Sequence, residues 1–195
     1  MTINYRNDSD GVTHQVWAQR QAASCAVASI WMARNQAKQM TFAEAEWALA
    51  WRLYHQVVQG ALLVPEAPAP MSFAPGAHQN NQSTFGNMFS QHGTFMDQVA
   101  KALTNDGLTV TFKTSFAPGT RVTASRLSDT TPAIVLLGWY SGSTRNGGHF
   151  IVASRAATDG KIVYLDPWGG VLRELGTGPQ YQGTGRFEQV VYISA

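Results

Sequence analysis

The spacing of apolar residues changes once along the chain, from a helical period before Gly107 to a period of two after it. Val27, Ile30 and Trp31 fall at i, i+3 and i+4, which predicts a helix from about Ser24 to Gln36. Ser24 is a good N-cap type. Arg34 ends the stripe at i+7 and would place a cation at the negative end of the helix dipole. A second helix is expected to open at "TFAE", where Thr41 and Glu44 have the spacing of a capping box. Trp47, Trp51, Tyr54 and Val58 continue it as a core stripe, and Gly60 would stop it. A third helix is expected from Thr94 to about Asn105, with Thr94 and Asp97 as its cap and Phe95, Val99 and Leu103 as its stripe. Residues 1–18 read as an irregular arm. Residues 61–91, rich in Pro, Asn and Gln, read as a long loop of a kind often tied to function or disorder.

Beyond Gly107, "LTVTFK" alternates, and "AIVLLGWY" (133–140) is a short continuous apolar run of the sort found in buried strands. "HFIVASR" (149–155) and "KIVYLD" (161–166) flank Asp159-Gly160, a turn pair that predicts a β-hairpin, and "RFEQVVYIS" (186–194) adds a further strand. The glycine-rich "GTGPQYQGTG" (176–185) reads as a loop that would line a cleft. Helices first and strands afterwards, without βαβ alternation, indicate an α+β fold with an antiparallel sheet. A length of 195 residues suits one domain with a helical lobe over about 19–106 and a sheet lobe over about 107–195.

Charge narrows the partners. The formal net charge is +2, and charged residues make up only 13% of the chain, against roughly 25% in an average domain. No Lys/Arg run marks a nucleic-acid surface, and no apolar stretch approaches the roughly 20 residues that span a bilayer. "MTINYRNDSDGVTHQ" lacks the apolar core of a secretory signal, so the expectation is synthesis in the cytoplasm, with any export by a signal-independent route. No phosphate-cradling or dinucleotide glycine motif occurs, and the lone cysteine with scattered histidines lacks zinc-ligand spacing. Neither a cofactor nor a metal is expected.

Cys25 is the only cysteine, so no internal disulfide can form. Left alone it would read as a small buried hydrophobe. Its place at a predicted helix start changes that, because a nucleophilic cysteine acts as a thiolate and helix N-termini favour anions. A base is then required. Among His14, His55, His78, His92 and His149, His149 stands out: it follows two glycines and opens a predicted buried strand. Asp166 ends the next strand, nine residues and eight residues being the respective distances of His149 and Asp166 from a turn centred near 158. A hairpin of that length brings the carboxylate to the imidazole, where it would fix the tautomer. The oxyanion formed on attack needs donors, and the Cys25 N–H and the amides of Gln19 and Gln21 are at hand.

The ordered set Gln19, Cys25, His149, Asp166 resembles the papain-like cysteine peptidases. In that superfamily a Gln six positions before the nucleophile supplies an oxyanion donor, which selects Gln19 over Gln21. A Trp two positions after the Asn or Asp covers its bond to the His, and Trp168 holds that place. "GGHFIV…YLDPWGG" is most similar to compact bacterial members, the leader peptidases of bacteriocin exporters and the cysteine-protease effectors of pathogens. The resemblance rests on two segments, about 19–31 and 147–170. It implies a two-lobe fold and a Cys-His-Asp thiol peptidase acting on proteins or peptides, in the manner of a secreted bacterial effector or toxin. Ala26 departs from the Trp or Gly that follows the nucleophile in known members, which leaves the subsites open. No propeptide is recognisable. The same triad also serves glutamine deamidases, acyltransferases and cell-wall amidases, since chemistry up to the thioester is shared. A silent peptide-binding module is the non-enzymatic alternative.

Overall fold

The computed structural model describes residues 2–20, 24–42, 44–53 and 94–195, with backbone alone at 47 and 51–53. The architecture is α+β: helices pack on one face of an antiparallel sheet.

The first element corrects an expectation. Residues 1–18 are not an irregular arm but a hairpin, β1 (Thr2–Asn7) and β2 (Thr13–Ala18), paired from Thr2↔Ala18 to Asn7↔Thr13. Its turn is built by Asp8, whose Oδ1 accepts from the N–H groups of Asp10 and Val12 at 3.0 and 2.8 Å. β1 buries almost nothing, while β2 sends Val16 and Trp17 into the core.

Helix α1 (Cys25–Lys38) begins at the cysteine. Ser24 is the N-cap by position, but its hydroxyl donates to Glu46 instead of bonding the first turn. Arg34 does not serve the helix end. It is buried and reaches Glu44 at 2.8 Å and Asp106 at 3.0 Å, and Lys38 is the cation of the last turn. Glu44 is therefore drawn out of the expected capping box, and Thr41 bonds Gln15; helix α2 starts later, at Glu46, and runs to Leu53. Tyr54, Val58, Gly60 and the 61–91 segment lie outside the described residues. Helix α3 (Met96–Asn105) buries Met96, Val99 and Leu103 but leaves Phe95 exposed, and the Gln98 side chain, not Asp97, accepts from the N-cap N–H.

The main sheet runs β3 (Thr109–Lys113), β9 (Gly185–Ser194), β4 (Ala133–Ser141), β5 (Thr144–Ala156), β6 (Ile162–Asp166) and β7 (Val171–Leu175), with β8 (Gln180–Tyr181) on β9. Both faces of its centre are covered, which is why 133–140 reads as unbroken apolar sequence. Ile134, Leu136, Phe150, Val152 and Val163 meet the helices. Val135, Leu137, Ile151, Tyr164, Phe187 and Tyr192 form a second core on the opposite face. The hairpin β5–β6 forms around Asp159-Gly160 as expected, and Gly160 takes a φ of 83° there. The loop expectation for 176–185 is corrected in part: β8 lies within it and Tyr181 is fully buried.

Candidate active site

The β5–β6 register places Val152 opposite Leu165, so Ile151 would face Asp166 and His149 lies on the diagonal, two residues on and on the same face. His149 Nε2 meets Asp166 Oδ1 at 2.7 Å, and both residues are buried. Cys25, half-buried at the first position of α1, lines the same cleft as this imidazole. Asp166 occupies Nε2, which leaves Nδ1 as the remaining ring nitrogen. Burial works against an imidazolium at His149, but the hydrogen bond to Asp166 and the nearby Cys25 outweigh it and raise its pKa to about 9. Burial likewise opposes the Asp166 carboxylate, and His149, Tyr181 and the Trp168 N–H together hold its pKa below the usual range.

Asp166 is fixed by more than the sequence revealed. Oδ1 also accepts from the Trp168 N–H at 2.8 Å, and Oδ2 accepts from the Tyr181 hydroxyl at 2.5 Å. Burial and the neighbouring carboxylate push the Tyr181 phenol pKa up, so it stays a donor. Tyr181 escaped the sequence reading because a glycine-rich segment hides a two-residue strand; its one signal was a large aromatic among loop residues.

Trp168 stands edge-on to the His149 ring, with centroids 6.4 Å apart and planes at 84°. It is 65% exposed, so it borders the imidazole while its outer face meets solvent. Gln19 lies in the connection from β2 towards α1, and its N–H donates to the Pro167 carbonyl at 3.0 Å. That bond ties the segment before the cysteine to the turn after Asp166. Gln21 lies outside the described residues. Glu46 secures the same segment by accepting from Ser24 and from the Arg20 N–H.

The glycines before His149 have distinct roles. A Cβ on Gly148 would sit 2.5 Å from Arg145 Nη2, whereas one on Gly147 would meet nothing closer than 3.8 Å. Arg145 cannot easily yield, because fully buried Glu188 grips it at 2.7 and 2.9 Å and also accepts from Tyr140. Gly148 is thus the close approach that seats the His149 backbone.

Of the other histidines, His55, His78 and His92 lie outside the described residues, and His14 is far from this chemistry. His14 joins Asp8 at 2.9 Å and Ser154 at 3.2 Å, an order that imitates a serine hydrolase relay. Ser154, however, is fully buried and donates to Gln36. Arg155 completes the cluster by binding Asp8 and Asp10, which fastens the N-terminal hairpin to β5.

Among the described residues, the thiol and imidazole open onto a cleft of about 960 Å³. Exposed Phe95, Phe116 and Trp168 give it aromatic walls, and Arg145, Arg173, Gln182 and Gln189 add polar groups. No described group of three or more His, Cys, Asp or Glu side chains could hold a metal ion, and no described helix is long and apolar enough to cross a membrane. A thiol at a helix N-terminus, an imidazole lining the same cleft and a carboxylate bonded behind it are the types of group that acyl transfer uses. No protein-family model matches the chain, and comparison with curated proteins gives no match.

Proposed function

We propose that this chain is a thiol peptidase of papain-like two-lobe architecture, with Cys25 as nucleophile, His149 as its base and acid, and Asp166 as the group that orients His149. The observation that carries this reading is the buried His149–Asp166 pair at a cleft that the Cys25 thiol also lines, with the thiol at the start of α1. The raised pKa of His149 means that the imidazole holds a proton at neutral pH, which suits a thiolate–imidazolium pair.

In the first half-reaction the Cys25 sulfur attacks the scissile carbonyl, and the carbonyl oxygen takes the negative charge. The Cys25 N–H and the Gln19 amide are the donors proposed for that oxyanion. His149 gives its proton to the departing amine, leaving a thioester. Water then attacks the thioester with His149 as base, and the thiol is restored. The aromatic walls of the cleft suit peptide side chains, and its polar groups suit the backbone.

The test is an activity-based electrophile followed by peptide-library profiling. Modification should fall on Cys25, and both Cys25→Ala and His149→Ala should abolish cleavage while the fold persists by circular dichroism. Cleavage that survives Cys25→Ala would overturn the proposal.

A further inference from the structure

We infer that Arg173 determines specificity by seating a carboxylate of the substrate, so that the cleft selects acidic peptides; this rests on the reading of Cys25 as the nucleophile. The charges lining the cleft are mostly answered within the protein. Arg145 is matched by buried Glu188, Asp97 by Lys113, and His149 by Asp166. Arg173 also lines the cleft, and among the described residues no carboxylate lies within ion-pair reach of it.

Arg173 is held by a neutral partner instead. With its amide oxygen turned inward, Gln182 accepts from Arg173 Nε and Nη2, both at 2.5 Å. Arg173 also lies near enough to the Tyr181 phenol, the group that holds Asp166, for its positive charge to be felt there. The Gln182 bonds fix the plane of the fork without neutralising it, and a guanidinium has donors to spare for a bidentate acid. Gln182 itself takes a φ of 49°, a left-handed conformation uncommon outside glycine. Such strain at a cleft is typical of residues set for binding. An arginine at the cleft, fixed by Gln182 and without a carboxylate partner among the described residues, is built to receive an anion.

The shared chemistry is a carboxylate, from either an Asp or Glu side chain or a free peptide C-terminus. The first measurement needs no known substrate. Iodoacetate and iodoacetamide both alkylate a thiolate with loss of iodide, and Cys25 is the sole target. The ratio of their rates reads the positive potential at the thiol. Arg173→Gln should lower that ratio by at least about threefold, Arg173→Glu by more, and Arg173→Lys should restore most of it. Gln182→Asn, which tolerates the left-handed φ but shortens the clamp, should lower it in part and serves if Arg173→Gln fails to fold. The second measurement compares peptides bearing Glu with their Gln counterparts, and free with amidated C-termini. One of the two acidic series should be preferred by about tenfold in kcat/KM, and Arg173→Gln should erase that preference; the series affected identifies the source of the carboxylate. Fast native alkylation with a ratio indifferent to Arg173 and Gln182 overturns this inference alone. Alkylation no faster than in the unfolded chain overturns the nucleophile reading and this inference with it.

Discussion

Tyr181 donates to the one oxygen of Asp166 that His149 leaves unused, so the carboxylate is gripped from both sides. Tyr181→Phe would strand a buried acceptor beside the imidazole. Stability should fall by about 1–3 kcal/mol, read by urea denaturation. Activity should fall through kcat, because His149 loses its fixed orientation.

Asp166→Asn should be milder than Asp166→Ala. An Asn oxygen can keep the bonds to His149 and the Trp168 N–H, and the Tyr181 hydroxyl can turn to accept from the new amide. The alanine leaves all three donors without a partner. Comparing kcat for the two variants, then for Asp166→Asn with Tyr181→Phe, checks this order; equal losses for Asn and Ala would contradict it.

Gln19→Ala should cut kcat by roughly 10²–10³ with little change in KM, as expected for a donor used only in the transition state. Gln21→Ala should not. Steady-state kinetics on one peptide decides between them.

The pH dependence of stability has a defined sign. His149 has a folded pKa of about 9, above its unfolded value near 6.5, so its contribution is fully present below pH 6.5 and is lost as pH rises through about 9. Asp166 is depressed, so its contribution is present above about pH 4 and is lost on acidification. Thermal melts should therefore weaken between pH 6.5 and 9, and that slope should flatten in His149→Ala.

Asp8 predicts a separate acid transition. Burial opposes its charge, but His14, Arg155 and the Val12 N–H lower its pKa to about 2. Stability should thus fall as pH drops from about 4 towards 2, with the β1–β2 hairpin loosening from β5. Asp8→Asn should make that limb shallower, and hydrogen exchange in Val16 and Trp17 reports whether the hairpin is the part released.

The site was legible where chemistry and a turn coincide. Asp159-Gly160 fixed the hairpin, and with it the meeting of His149 and Asp166. The N-terminal hairpin was hidden because β1 is mostly polar and barely buried, so its alternation separates nothing apolar from anything wet. Thr41 and Glu44 had capping-box spacing, but buried Arg34 claimed Glu44, a pairing 10 residues apart that local pattern cannot register. Tyr181 meets Asp166 and Arg173 meets Gln182 only through tertiary folding, so neither pairing has a local sequence signal.

Strand β9 is laid between β3 and β4, although both are made before it. The strand that joins β3 to the rest of the sheet is therefore synthesised after both of its neighbours. His149 follows Cys25 by 124 residues, about 6–25 seconds of synthesis at usual elongation rates of about 5–20 residues per second. Throughout that interval Cys25 exists without the imidazole that shares its cleft. The order of translation therefore delays the meeting of Cys25, His149 and Asp166 until Asp166 has been made.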